Sequence, residues 1–148
     1  MGLYEFVQGR KLTSSELSLQ HINQAANFVR ALNEKLDRGK TLSNASEGCF
    51  SIEQHFQLTD MRVTKLLGLP VVSEIDRQAL FFVGKIDSAW KKLKDAIVAR
   101  NGSISIQLDA ADRCISPSDF GFHNALLRNT GKICFIDFEY AGWDDPAK

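Results

Sequence analysis

Two carboxylates and one carboxamide, Asp119, Asn124 and Asp137, stand near the end of this 148-residue chain at a spacing suited to phosphoryl transfer. They fall in Ser116-Pro-Ser-Asp-Phe-Gly-Phe-His-Asn-Ala-Leu126 and in Gly131-Lys-Ile-Cys-Phe-Ile-Asp-Phe-Glu139. The chemistry is that of hard oxygen. A carboxamide carbonyl and a carboxylate can grip one Mg²⁺, which favours oxygen ligands and leaves its remaining sites to water and phosphate. A second carboxylate nearby can accept the proton of a hydroxyl group.

The elements that must position these groups are a loop and a hairpin. Asn129-Thr-Gly-Lys132 separates the apolar runs 125–127 and 133–136, and a two-residue Thr130-Gly131 turn is a recognised hairpin signal. Counting outward from it, Arg128 faces Ile133 and Asn124 faces Asp137. Facing side chains of antiparallel strands have Cβ atoms roughly 5 Å apart. Asp119 precedes Asn124 in a loop that Pro117 and Gly121 make irregular, placed to take a proton from a substrate hydroxyl. The alternative is an ordinary hairpin whose Asn and Asp cap a turn, because Asp-x-x-x-x-Asn alone is a short pattern.

The order Asp-x-x-x-x-Asn, hairpin, then Asp closing an apolar strand resembles the catalytic and metal loops of the protein-kinase-like superfamily. Ile136-Asp-Phe-Glu-Tyr-Ala-Gly-Trp-Asp-Asp-Pro-Ala147 is most similar to the aminoglycoside phosphotransferase and choline kinase branch. That branch carries Asp-Trp/Phe-Glu and a downstream Asp-Pro where protein kinases carry Asp-Phe-Gly. The resemblance implies an ATP- and Mg²⁺-dependent phosphotransferase that moves the γ-phosphoryl to an alcohol group of a small molecule. Asp119 would be its catalytic base, and Asn124 and Asp137 its Mg²⁺ ligands. One departure matters: the family usually has His-Gly before the catalytic Asp, where this chain has Pro117-Ser118. The hydrogen bonds that brace the loop must then come from elsewhere, the Ser116 and Ser118 hydroxyls being candidates.

Leu3-Tyr-Glu-Phe-Val-Gln-Gly-Arg-Lys-Leu12 resembles the segment that crosses from the small to the large lobe of the same kinases. By that likeness the Glu5 carbonyl and the Val7 amide would meet the adenine ring; the alternative is an edge strand and turn with no ligand. The implied fold is α+β: the mainly helical large lobe of a protein-kinase-like fold with a catalytic-loop β-hairpin, the small lobe absent. Residues 1–148 would form a single partial domain, divided into an inter-lobe hinge (1–12), a helical body (13–100) and the catalytic and metal loops (101–148). The sequence has no Gly-x-Gly-x-x-Gly loop and no strand-borne Lys for the α and β phosphates. Gly39-Lys-Thr41 is no substitute, because a phosphate-binding loop needs a glycine five places earlier, where Glu34 stands. The isolated chain is therefore expected to be a fragment inactive alone, and the competing reading is a non-catalytic kinase-like relic or binding module.

Helical periodicity fills the middle. Ile22, Ala25, Ala26, Val29, Leu32 and Leu36 predict an amphipathic helix from Glu16, with Thr13-x-x-Glu16 as its capping box. Ser51-x-x-Gln54 predicts the start of a second helix, running through Phe56, Met61, Val63 and Leu66-Leu67 to Gly68. A third, from Ser73 to about Val98, presents Leu80, Val83, Ile86, Trp90, Leu93 and Ile97 and stops at Asn101-Gly102. Ser103 to Leu108 alternates in period two, as a strand or an extended entry to the catalytic loop does.

Composition excludes several classes. Lys plus Arg equals Asp plus Glu at 18 each, which argues against nucleic acid and anionic membrane as partners. The longest apolar run, near 79–83, falls far short of the roughly 20 residues a membrane span needs, and no secretory signal is present, so the cytoplasm is expected. Cys49, Cys114 and Cys134 share no Cys-x-x-Cys spacing, and His21, His55 and His123 no ligand spacing, so a structural zinc site is not expected. His123 lies inside the catalytic loop, where packing or solvating that loop is the role favoured over contact with phosphate. The acceptor and the oligomeric state are not readable from the sequence.

Overall fold

The structure is a computed structural model, and it describes residues 6–34 and 42–148. It is α+β, with helices α1 (Leu19–Glu34), α2 (Ile52–Leu67) and α3 (Glu74–Asn101) and strands β1 (Cys114–Ser116), β2 (Ala125–Leu127), β3 (Ile133–Phe135) and β4 (Gly142–Asp144). Two compact units divide the chain. One joins Met1–Gly48 to Asp112–Lys148, and the other is Cys49–Ala111. The stretch 13–100 is thus shared between them, α1 going to the first unit and α2 and α3 to the second.

The second unit is a helical hairpin. Ser51 caps α2 by accepting from the Gln54 N–H at 3.2 Å, and the chain stops at Gly68, both as the sequence predicts. Ser73 caps α3, its hydroxyl accepting from Asp76 N–H at 3.2 Å while the Asp76 carboxylate accepts from Ser73 N–H at 2.8 Å, a reciprocal capping box. Half-buried positions of α3 recur in alternating three- and four-residue steps at Leu80, Val83, Asp87, Trp90, Lys94 and Ile97, with Asp76 and Gly84 half-buried as well. That seam differs from the apolar stripe expected, because Ile86 and Leu93 are exposed and Asp87 and Lys94 take their places. Asp60 of α2 explains Lys94: its carboxylate accepts from Lys94 Nζ at 2.6 and 2.8 Å and from Trp90 Nε1 at 2.8 Å. Trp90 also meets the buried Phe56 edge-on, with ring centroids 5.5 Å apart. Ser103 to Leu108 is not a strand. It is irregular chain tied to the start of α2 by Glu53 N–H to Ile104 C=O (3.0 Å) and Leu108 N–H to Phe50 C=O (2.6 Å).

The first unit packs α1 beside two small antiparallel sheets, β1 with β4 and β2 with β3. Thr13-x-x-Glu16 does not start α1. It closes a separate 3₁₀ turn, Ser14–Glu16, after which Leu17 is extended and α1 begins only at Leu19. The Glu16 carboxylate is shared between the Thr13 N–H (2.9 Å), the Thr13 hydroxyl (2.8 Å) and the Arg10 guanidinium (2.5 and 3.0 Å). The inward face of α1 is also rotated from the one expected: Ile22 and Ala26 are exposed, while Gln24, Phe28 and Asn33 join Ala25, Val29 and Leu32 at half-buried positions. Leu36 lies outside the described residues.

Two amides on that face act as clamps. Asn33 Nδ2 donates to the Ile115 C=O at 3.0 Å, and its Oδ1 accepts the Ile115 N–H at 2.8 Å, so one side chain satisfies both backbone groups of the central β1 residue. Gln24 Oε1 accepts the Ile133 N–H at 2.9 Å, and its Nε2 reaches the Gly131 C=O at 3.3 Å. Between these clamps Phe28 lies against Phe120 (5.6 Å), Phe135 (5.0 Å) and Phe138 (5.6 Å). On the far side of β1, β4 is bracketed by the chain at 43–45, with Trp143 N–H to Ser43 C=O at 3.0 Å and Ala45 N–H to Trp143 C=O at 2.9 Å. Among the described residues no helix is long and apolar enough to cross a membrane.

Candidate active site

The hairpin that carries Asn124 and Asp137 turns through three residues, not two. Arg128 N–H bonds to Lys132 C=O (2.9 Å), Gly131 N–H to Arg128 C=O (2.9 Å), and Gly131 takes a left-handed φ of +75°. A type I turn closed by a left-handed glycine is the usual three-residue hairpin loop. The register consequently shifts by one: Leu127 faces Ile133 and Ala125 faces Phe135. Asn124 therefore faces Ile136, whose N–H bonds to the Asn124 C=O at 3.0 Å, and Asp137 is the next residue along. A slip of one residue would ordinarily turn a strand side chain to the opposite face. Asp137 has instead left the ladder, with a left-handed φ of +68°.

Asp119 lies between β1 and the 3₁₀ turn Phe122–Asn124. Ser118 and Asp119 are consecutive non-glycine residues in the left-handed region, at φ +45° and +29°. Such conformations cost of order 1–3 kcal/mol each and persist only where the surroundings enforce them. Here Pro117 is buried, Ser118 N–H bonds to Ser116 Oγ at 3.1 Å, and Phe120 stacks on Phe28. The bracing that Pro117-Ser118 cannot supply by itself thus comes partly from the Ser116 hydroxyl.

The loop side chains converge on Asp119. Asn124 Nδ2 reaches the Asp119 C=O at 3.1 Å and its Oδ2 at 3.3 Å, and His123 Nε2 lies 3.3 Å from Oδ1. With its amide nitrogen so used, the Asn124 side-chain oxygen accepts no hydrogen bond from the described residues. Asp119 and Asp137 are exposed and Asn124 is half-buried. Tyr140 follows Glu139 in the segment after Asp137. Its phenol pKa is raised, first by a hydrogen bond to Glu139, then by the Glu139 charge and burial. Among the described residues no three His, Cys, Asp or Glu side chains gather as a metal-binding group.

Val7 is half-buried in a segment that runs beside β2, where Arg10 and Leu127 exchange both backbone hydrogen bonds at 3.0 and 2.8 Å. Gly9 makes that approach possible, because a Cβ there would lie 2.9 Å from Leu126 Cβ and 3.1 Å from the Leu127 C=O. Glu5 lies outside the described residues. Gln24, Asn33 and Tyr140 went unnoticed in the sequence; the available signal was that two amides interrupt an otherwise apolar helix face. No protein-family model, curated protein or solved structure matches this chain.

Proposed function

We propose that this chain carries the catalytic loops of a small-molecule phosphotransferase of the protein-kinase-like type, acting from Mg²⁺·ATP on an alcohol. The observation that carries the reading is the joining of Asp119, Asn124 and the strand leading into Asp137 through hydrogen bonds of 3.0 to 3.3 Å. In the transfer, the acceptor oxygen bonds to the γ-phosphorus as the bridge to the β-phosphate breaks, ADP leaves with that electron pair, and the hydroxyl proton passes to Asp119. The Asn124 side-chain carbonyl and the Asp137 carboxylate would be the hard-oxygen ligands of Mg²⁺, which is ordinarily held by one or two carboxylates with phosphate and water completing its shell. The ion would neutralise charge on the phosphates. Asn124 has a second duty in holding the Asp119 carboxylate by its amide nitrogen.

The segment beside β2 supports a hinge role for Val7, because Gly9 brings that backbone against Leu126 of the hairpin. The large-lobe assignment, the absent small lobe and the small-molecule acceptor belong to this same proposal. The test restores the full reading frame around this chain and measures Mg²⁺-dependent ATP consumption with a panel of amino alcohols and sugars, comparing Asp119→Ala and Asp137→Ala. A loss of about 10²-fold or more in Asp119→Ala is expected of a general base; equal turnover in the variant refutes the assignment. Pro117-Ser118 favours a second reading, a binding module that holds nucleotide without turnover, for which ATP binding without ADP release is the signature.

A further inference from the structure

The loop braces the proposed base from within, and this inference rests on the phosphotransferase reading. We infer that His123 is a positioning residue for Asp119, taking the place of the bracing that the Pro117-Ser118 departure removes. Each oxygen of the Asp119 carboxylate has its own neighbour: Oδ2 is reached by Asn124 Nδ2 and Oδ1 by His123 Nε2, both at 3.3 Å. A carboxylate offers about four lone-pair sites, so two remain for an incoming hydroxyl. With the Nε2–H tautomer present, the imidazole donates to Oδ1 and sets the plane of the carboxylate.

Gly121 shows that the ring position is built into the loop. A Cβ on Gly121 would lie 2.7 Å from His123 Nδ1 and 2.8 Å from Cε1, so the imidazole occupies the space that any other residue would fill. Gly121 itself is fully extended, with φ 179° and ψ 176°, a conformation open to any residue. The glycine thus leaves room for the His123 ring in the position it takes beside Asp119. The next turn of chain agrees, because Asn124 N–H bonds back to the Gly121 C=O at 3.1 Å and closes the 3₁₀ turn around the ring.

The test uses the protein in its full reading frame and four variants: His123→Ala, His123→Gln, Gly121→Ala and Asp119→Asn. His123→Ala should lower kcat roughly 10- to 100-fold with KM for Mg²⁺·ATP unchanged, as expected when a reacting group is misplaced by about 1 Å. His123→Gln, which keeps a donor near the same reach, should recover most of that loss. Gly121→Ala should reproduce it with the imidazole intact, because the ring is displaced. Independently of turnover, the His123 ring ¹⁵N shifts should move in Asp119→Asn. Undiminished kcat in His123→Ala, or ring shifts indifferent to Asp119→Asn, overturns the positioning role while leaving the phosphotransferase reading in place. No turnover of acceptor or ATP by the protein in its full reading frame overturns both.

Discussion

Replacing Asn33 by Ala tests the idea that a single helix side chain holds the strand from which the candidate catalytic loop departs. Asn33 satisfies the Ile115 C=O at 3.0 Å and the Ile115 N–H at 2.8 Å, and Ile115 sits two residues before Pro117. The opposite strand cannot take over, because β1 is only Cys114–Ser116 and its partner β4 already has the chain at 43–45 on its other edge. Each backbone group left unpaired out of water costs about 1–3 kcal/mol. Ile115 is half-buried, so the low end applies to both groups, and Asn33→Ala should destabilise the first unit by about 2–3 kcal/mol. Asn33→Leu preserves volume and should cost about as much, which separates lost hydrogen bonds from a cavity. The reporter is built in: Ile115 registers directly against Trp143, one of two tryptophans, the other being Trp90 in the second unit. Urea unfolding followed by Trp143 fluorescence in a Trp90→Phe background reads the effect as a shift of midpoint at constant slope. A change below about 0.5 kcal/mol, the usual range for a surface substitution, would refute the clamp.

Three further outcomes follow from particular contacts. The Glu16 carboxyl is held down at about 2, from an ordinary 4.5, by its hydrogen bonds to Arg10 and Thr13; a lowered acid pKa stabilises above the unfolded value, so this contribution is full above pH 4.5, fades as pH falls toward 2, and Arg10→Gln should flatten that acid limb in a pH series of unfolding curves. Gly142→Ala should destabilise by about 3 kcal/mol, because its Cβ would collide with backbone atoms of Ser43, Asn44 and Ala45; Gly84→Ala in α3, with nothing within 4 Å, should instead stabilise by about 1 kcal/mol, both read by thermal unfolding. Asp137→Gly should raise stability by up to about 1 kcal/mol by relieving its left-handed φ of +68° while abolishing Mg²⁺-dependent turnover, and a destabilised variant would refute the strain.

Features that depend on neighbours in sequence were readable from it. The Ser51 cap, the stop at Gly68 and the end of α3 at Asn101-Gly102 rest on groups within a turn of each other, and the chain obeys them. Thr13-x-x-Glu16 misled because the same motif closes a 3₁₀ turn as readily as it opens an α-helix, and the extended Leu17 follows. The faces of α1 and α3 were misjudged for another reason. Polar residues were assigned to solvent, yet Gln24 and Asn33 face backbone 82 to 109 residues away, and Lys94 faces Asp60. Nothing local announces such partners. The hairpin register failed by one residue because a glycine closes two- and three-residue loops alike, and only the Arg128–Lys132 hydrogen bond distinguishes them. Asp119 and Asn124 came together regardless of that error, since both lie on one loop whose own hydrogen bonds join them.

The strain pattern bears on why these residue types stand where they do. The non-glycine residues with positive φ in the described chain are Ser118, Asp119 and Asp137. Two of the three are the carboxylates singled out by spacing alone. At each, glycine would relieve the backbone at no steric cost. Tolerance of the left-handed region by Asp explains how the conformation is reached. Strands of three residues cannot hold these loops by their ladders alone, and the holding falls to Asn33 on Ile115, Gln24 on the hairpin turn and Phe28 between Phe120 and Phe138. Side-chain clamps on α1 thus hold, from one helix face, both the segment that enters the Asp119 loop and the hairpin that ends at Asp137, a support of the kind the proposed phosphoryl-transfer site would need for preorganisation.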